Sequence, residues 1–133
     1  MLLCFAFANA QYIKIDMLNK LGNNYMVYSS DIAYVEVGDS ITWIPKDLGH
    51  NVHFIKAPVG VKELPRSEYN KEFTYTFTKK GIYLYQCTPH VALGMIGLVV
   101  VGGDKSNQDQ IAKTELLGMS KPKLTRLLKE LRW

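Results

Sequence analysis

The feature that most restricts the fold of this chain is a strict alternation of aromatic residues and threonines in the segment FTYTFT, residues 73–78. A period of two places the aromatic side chains on one face of a β-strand and the threonines on the other. Shorter apolar runs recur between residues 13 and 101, and turn residues such as Gly38-Asp39 separate them. No helical period interrupts them before residue 103, so the pattern predicts about eight strands in an antiparallel sandwich or barrel.

The sequence changes in character after residue 103. Residues 107–117 have a helical pattern that Gly118 closes, and a second helix is predicted over residues 121–132. Ser120 is predicted to cap the second helix, and Pro122 is tolerated in its first turn. Leucines recur in this helix at i, i+3, i+4 and i+7, which are positions 124, 127, 128 and 131. We expect this apolar stripe to pack on the β-domain rather than on a membrane.

The first ten residues carry no charged side chain, and residues 2–8 are all apolar. Ala8-Asn9-Ala10 then fits the small-x-small pattern of a cleavage site, so residues 1–10 are interpreted as a signal peptide or its C-terminal remnant. The alternative is a first β-strand, since Phe5 and Phe7 alternate with alanines. Cleavage before Gln11 would leave one domain, residues 11–133, with a single cysteine that cannot form a disulfide within the chain.

The length and charge of the chain argue against several classes of protein. Its 133 residues are enough for about one domain, and no apolar run approaches the ~18 residues of a membrane span. The net charge of +4 comes from 16 basic and 12 acidic residues, and the long basic run of a nucleic-acid-binding protein is missing. We expect the lysines to steer an acidic protein partner; a solvated surface without a specific role is the alternative.

A thiol, an imidazole and a thioether lie close together in the segment YQCTPHVALGMIG, residues 85–97. Cys87 ends one predicted strand, Met95 begins the next, and His90 lies in the loop between them. His50 follows a turn at Gly49 and is the natural fourth donor, because it too is expected at a strand end. The four side chains are therefore predicted to converge on a metal ion at one end of the sandwich.

Two imidazoles, a thiolate and a thioether are the donor set of a blue-copper site, in which the methionine is a weak axial ligand. A structural zinc site usually has more cysteines, and a catalytic metal site keeps a position open for water. Taken singly, Cys87 and Met95 are compatible with inert core residues. An enzyme with Cys87 as nucleophile and His90 as base would need a third, orienting group. The combination favours one copper ion per chain and electron transfer.

His53 lies three residues after His50. On one extended strand the two side chains would point to opposite faces. We therefore interpret His53 as a surface or hydrogen-bonded residue and not as a ligand.

Several segments resemble the cupredoxins and, among them, most closely the pseudoazurins. They are Cys87-Thr88-Pro89-His90, Gly94-Met95 and Gly49-His50-Asn51-Val52, together with DMLNK and YMVY near the start and the two trailing helices. The resemblance extends from about Tyr12 to the end of the chain and implies an all-β fold, an eight-stranded Greek-key β-sandwich with two C-terminal α-helices.

The same resemblance implies roles for individual residues. The implied copper ligands are His50, Cys87, His90 and Met95. Asn51 is expected to join the two ligand loops near the cysteine sulfur, where hydrogen bonds tune the potential. Met26 is expected to lie close to His90, and Pro89 to belong to the immediate surroundings of the ligands. The position of His90 on a loop, and not the resemblance, predicts that its ring edge reaches the surface and is the electron port. The apolar patch expected around it consists of Pro89, Val91, Ala92, Leu93 and Ile96.

The resemblance also implies a function. We expect a periplasmic, monomeric one-electron carrier, not an enzyme, which cycles between Cu(II) and Cu(I) and serves redox partners with an acidic face. Nitrite reductase or nitrous oxide reductase is the implied acceptor. Storage or delivery of copper on the same fold is the alternative. Val91, Ala92 and Leu93 stand where members of the family often have Tyr, Gly and Met, so the shape of the contact patch departs from the family pattern.

Overall fold

The computed structural model describes residues 9–132. Residues 1–8 of the predicted signal peptide lie outside this described part of the chain. From residue 9 to residue 132 the chain forms eight strands, two α-helices and one 3₁₀ helix, Thr88–Leu93. The strands are β1 (Tyr12–Leu21), β2 (Asn24–Tyr28), β3 (Ile32–Val35), β4 (Ser40–Pro45), β5 (His53–Lys56), β6 (Phe73–Thr76), β7 (Gly81–Gln86) and β8 (Ile96–Val101). The helices are α1 (Gln108–Ala112) and α2 (Ser120–Lys129).

The strands form two four-stranded sheets, with the orders β2-β1-β4-β6 and β3-β8-β7-β5. This confirms the predicted all-β sandwich with two C-terminal helices. Most neighbouring strands are antiparallel, but β1 pairs with β4, and β3 with β8, in parallel. The chain crosses repeatedly between the sheets from β2 to β7. Such crossovers can bring a strand beside an earlier one in the same direction, which the expectation of purely antiparallel pairing did not include.

The first core lies between the two sheets and is mostly aromatic. Trp43 of β4 packs edge-to-face on Tyr85 of β7, with ring centroids 5.1 Å apart, and on Phe54 of β5 at 5.7 Å. The alternation in β6 has the predicted result, because its aromatic residues pack against this core while its threonines are exposed. The ends of β4 and β7, from which two of the predicted donor segments emerge, are thus fixed by close packing.

A second core lies between the outer face of the β7–β8 pair and the helices. Both strands are buried on their two faces, which explains why they read as continuous apolar runs rather than as alternating ones. Leu124, Leu127 and Leu128 of α2 pack in this core with Ile111 of α1. The prediction that the leucine stripe covers the β-domain is therefore confirmed.

The helices differ from the prediction at their ends. α1 ends at Ala112 instead of residue 117, and α2 spans Ser120–Lys129 instead of residues 121–132. Ser120 is the first residue of α2 and not its cap, because its buried hydroxyl donates to the carbonyl oxygen of Val91. No helix between residues 9 and 132 is long and apolar enough to cross a membrane.

Candidate metal centre

The four predicted donors come from two loops at one end of the sandwich, the β4–β5 and β7–β8 connections. His50 lies between β4 and β5, Cys87 directly follows β7, His90 lies in the 3₁₀ helix, and Met95 directly precedes β8. We call residues 87–95 the ligand loop. The backbone N–H of Cys87 donates to the Met95 carbonyl oxygen at 2.9 Å, and the N–H of His90 donates to the Cys87 carbonyl oxygen at 3.1 Å. These bonds hold three of the four donors in one compact turn.

The donor atoms face one another closely. Cys87 Sγ lies 3.6 Å from His50 Nδ1 and 3.4 Å from His90 Nδ1, and the three atoms all lie within 4.8 Å of one another. Bonds of about 2.0 Å to nitrogen and about 2.3 Å to sulfur would hold such atoms about 3.7 Å apart at trigonal angles. The three residues therefore fit a first-row metal ion, and Met95 is fully buried beside Cys87 in the first core.

Asn19 holds the ring of His50. Its side-chain oxygen lies 2.7 Å from His50 Nε2, which fixes the proton on Nε2 and leaves Nδ1 free to bind a metal. Asn70 fixes the backbone of the same loop through two hydrogen bonds. The Gly49 N–H donates to the Asn70 side-chain oxygen at 2.6 Å, and the Asn70 N–H donates to the His50 carbonyl oxygen at 3.1 Å. Neither asparagine was identified from the sequence.

Asn51 connects the His50 loop to the ligand loop. Its side-chain oxygen accepts the backbone N–H of Thr88 at 2.8 Å, and its Nδ2 donates to the Thr88 hydroxyl at 3.0 Å. Asn51 is fully buried. The residues that follow His50 and Cys87 are thus hydrogen-bonded to each other, which fixes the separation of two donors.

Burial changes the protonation of the donors in the metal-free site. It lowers the pKa of His50, and the neighbouring His90 ring lowers that pKa further. It also lowers the pKa of His90. Burial raises the pKa of the Cys87 thiol, although hydrogen bonds from the backbone of Asn51 and His90 oppose this rise. The imidazoles are therefore neutral and ready to bind, whereas metal binding must displace the thiol proton.

Comparisons with known proteins agree with this geometry. A family model for copper binding proteins of the plastocyanin/azurin family matches residues 15–102. The pseudoazurin of Paracoccus pantotrophus is 42% identical over 103 residues, which are 76% of this chain and 70% of that protein. The chain belongs to the pseudoazurin family.

Solved pseudoazurin structures have the same fold. That from Methylobacterium extorquens AM1 has a TM-score of 0.85 and 31% identity, and the match covers 91% of this chain and 99% of the other. The pseudoazurin from Hyphomicrobium denitrificans has the same TM-score at 30% identity, with 92% and 99% covered. His50, Cys87, His90 and Met95 are positioned as the type 1 copper site of this family. The chain is a copper protein of the electron-transfer class and not an enzyme.

Met26 and Pro89 lie near the ligand loop of this pseudoazurin-family chain. Met26 is in β2, a strand that contacts the 3₁₀ helix, and its side chain packs against the first core. Its backbone has a φ of 53°, in the left-handed region that few residues other than glycine adopt. The contact of Met26 with His90 remains a prediction. Pro89 is exposed at the start of the 3₁₀ helix, next to His90.

The apolar patch around His90 differs from the prediction. Pro89 and Ala92 are exposed and Leu93 is 52% exposed, but Val91 and Ile96 are buried in the second core. Val91 cannot belong to a contact surface, because α2 covers it. Spacing along the loop did not reveal this, since the covering leucines lie more than 30 residues further along the chain.

The connection between the helices adds to this patch. Met119 N–H donates to the Ala92 carbonyl oxygen at 2.9 Å, and the Ser120 hydroxyl donates to the Val91 carbonyl oxygen. The Met119 side chain is 63% exposed and that of Leu117 is 67% exposed. The start of α2 therefore supports the ligand loop, and the exposed side chain of Met119 lies beside that loop.

The hydrogen bonds of Asn51 predict a measurable loss of stability. We expect Asn51→Ala to lower the free energy of unfolding of the metal-free protein by about 2–3 kcal/mol, because the Thr88 N–H and hydroxyl both lose a buried partner. Thr88→Val is the matched control and removes only the hydroxyl bond, so it is expected to cost about 1 kcal/mol. Urea unfolding measures both values. Equal losses in the two variants would contradict a contribution from the backbone bond.

Proposed function

We propose that this chain is a periplasmic carrier of single electrons that uses one copper ion, cycling between Cu(II) and Cu(I), and donates to a reductase such as nitrite reductase or nitrous oxide reductase. The observation that carries the proposal is the convergence of His50, Cys87 and His90, whose donor atoms lie within 4.8 Å of one another. With Met95 they supply four protein donors. Such a set leaves no open position for a substrate, so it suits electron transfer rather than catalysis.

The residues of the chain keep the site nearly unchanged during the cycle. Copper, when bound, supplies the one-electron redox couple. Asn19 fixes the His50 ring, Asn51 fixes the spacing of the two loops, and close packing fixes Cys87. These contacts are made by the protein alone, so the same donor positions would serve both oxidation states and little rearrangement would oppose electron transfer.

His90 is the proposed electron port. Its ring is half-buried and directs Nδ1 toward the Cys87 sulfur at 3.4 Å, so the opposite edge of the ring is the one directed to the surface. The exposed side chains of Leu93 and Met119 extend the apolar surface beside it. A small apolar surface of this kind favours the brief, weak encounters that are typical of redox partners.

The charge of the chain supports a partner with an acidic face. The net charge is +4, and Lys121 is exposed beside Met119. Lys123 does not contribute in the same way, because its ammonium group is 3.1 Å from the Asp31 carboxylate and its side chain is only 13% exposed. Steering by exposed lysines would make the association rate fall with ionic strength.

Copper storage or delivery on the same fold is the second candidate. It would require easy release of the ion, which normally needs ligands that can be exchanged one at a time. Here Cys87, Met95 and His50 are all buried, which favours retention. Slow exchange of copper combined with fast electron self-exchange would support the carrier, and the reverse would support storage.

The periplasmic location rests on the interpretation of residues 1–10 as a signal peptide. A periplasmic protein reaches its redox partners outside the cytoplasm, where a lone thiol is exposed to oxidants. Burial and copper ligation of Cys87 would both protect it. Fractionation of the cells in which the protein is naturally made tests the location directly.

The variant His90→Gly tests the port. We expect it to retain copper through the other donors, to accept added imidazole at the vacated position with a change in the visible spectrum, and to transfer electrons to the reductase at least about tenfold more slowly. His53→Gly is the matched control, since His53 is half-buried but lies outside the donor group. An unchanged spectrum and unchanged electron-transfer rate in His90→Gly would show that another group is the port.

A further inference from the structure

Asp39 is a buried carboxylate that forms no ion pair with any of the residues 9–132. Only 6% of the residue is exposed. One of its oxygens accepts the backbone N–H of Gln11 at 2.7 Å and the other accepts the backbone N–H of Glu36 at 2.8 Å. Among the ion pairs formed within residues 9–132, none includes Asp39. A buried charge is costly unless it is paired. The group that faces this carboxylate therefore affects the stability of the folded chain.

Within the described residues 9–132, Gln11 is the first that is hydrogen-bonded to the rest of the fold. Its N–H donates to Asp39, and its carbonyl oxygen accepts the N–H of Ser40 at 3.0 Å. The pairing of β1 with β4 begins at the next residue, Tyr12. Asn9 and Ala10 are exposed, and no hydrogen bond joins either of them to another residue of the described chain. The peptide bond between Ala10 and Gln11 therefore separates two described residues that lack such hydrogen bonds from the first residue that is hydrogen-bonded to the sheet.

This boundary coincides with the predicted cleavage site after Ala8-Asn9-Ala10. We propose that hydrolysis of the Ala10–Gln11 peptide bond creates an ion pair between the new α-ammonium group of Gln11 and the Asp39 carboxylate. Water adds across the C–N bond, so that Ala10 leaves with a carboxylate and Gln11 keeps a primary amine that takes up a proton. The nitrogen that donates to Asp39 at 2.7 Å is the same atom before and after cleavage.

Because of the ion pair, we expect the cleaved chain to be more stable than the uncleaved chain. A hydrogen bond from a charged donor to a carboxylate contributes more than one from a neutral amide. Cleavage at Gln11 supplies the cation that Asp39 otherwise lacks, whereas cleavage one or two residues earlier would place the ammonium group beyond it. The ion pair thus holds the first residue of the mature chain at the start of β1, and it does so independently of copper or a redox partner.

The ion pair also protects the new end of the chain. An N-terminal glutamine cyclises when its unprotonated amine attacks its own side-chain amide and expels ammonia. An ammonium group held by Asp39 has no free electron pair for this attack. We therefore expect the mature protein to retain an open glutamine.

A cycle of four metal-free proteins tests the proposal. Chains that start at Gln11 and at Asn9 are compared, each with Asp39 and with Asp39→Asn, which keeps an oxygen to accept the Gln11 N–H. With Asp39 we expect the chain that starts at Gln11 to have a Tm about 3 to 6 °C higher than the longer chain. The difference should disappear with Asp39→Asn and shrink in about 1 M salt. A difference that is absent, or equally large with asparagine, would overturn the ion pair.

The mass of the intact protein isolated from the cells in which it is naturally made tests the cleavage itself. A first residue of Gln11, without loss of ammonia, is the expected result. A start at any other residue, or complete cyclisation, would overturn the proposal. Neither experiment depends on copper, so these outcomes are separate from those that test electron transfer.

Discussion

Cys87→Ser is expected to abolish the intense visible absorption of the copper-loaded protein. That absorption depends on a thiolate bound to copper, and Cys87 Sγ lies 3.6 and 3.4 Å from the two imidazole nitrogens. A serine hydroxyl is a hard donor and holds its proton at neutral pH, so it cannot replace the soft thiolate. We also expect copper affinity to fall by at least about 100-fold. Titration with Cu(II), followed by absorption, measures both effects.

Two comparisons separate loss of the ligand from loss of the fold. Serine and cysteine are similar in shape, so the metal-free Cys87→Ser protein should unfold within about 1–2 kcal/mol of the parent. Met95→Leu, a substitution that conserves volume in the same buried site, should keep a strong visible band because the thiolate and both imidazoles remain. A Cys87→Ser protein that still turns blue would mean that the donors do not act together as the geometry indicates.

The donor set could be predicted from the sequence because its chemistry is local. Cys87, His90 and Met95 lie within nine positions, and few functions other than copper ligation use a thiol, an imidazole and a thioether together. His50 could be added because it follows a turn and precedes a strand. Each of these inferences uses residue type and spacing, which a sequence states directly.

The surroundings of the donors could not be predicted, because they depend on residues distant in sequence. Asn19 is 31 positions from the histidine ring that it orients. The burial of Val91 depends on α2, and the spacing of the ligand loop alone gave no sign of it. The parallel pairs β1–β4 and β3–β8 depend on crossovers between sheets, whereas local alternation reports only which face of a strand is buried.

The end of α1 and the start of α2 show the same limit. Residues 113–117 have a helical composition, but Gly118 and Met119 are instead fitted against the ligand loop. Gly118 has a φ of 57° and lies so close to Ala92 that a Cβ atom would come within 2.5 Å of the Ala92 carbonyl oxygen. This contact is with backbone, which cannot rotate away as a side chain would. The segment between the two helices is thus in direct contact with the loop that carries His90, so a displacement of this segment is expected to move the loop.

Gly118→Ala is therefore expected to disturb the copper site from outside it. The added methyl group must push the connection away from Ala92, which breaks the Met119 hydrogen bond and loosens the Ser120 bond to Val91. The clash with Ala92 and the strain of an alanine at a left-handed φ together are expected to lower the free energy of unfolding by about 3–4 kcal/mol. We also expect a shifted reduction potential and visible spectrum, because the ligand loop loses its support. Urea unfolding, voltammetry and absorption measure these changes.

Gly22→Ala is the matched control for this effect. Gly22 has nearly the same φ, 61°, but a Cβ atom there would meet nothing within 4 Å. The control should therefore cost only the backbone strain, about 1–2 kcal/mol, and leave the potential unchanged. The difference between the two variants isolates the contact between the helical tail and the ligand loop. If Gly118→Ala and Gly22→Ala lose the same stability and keep the same potential, then the tail only covers the sheet and does not position His90.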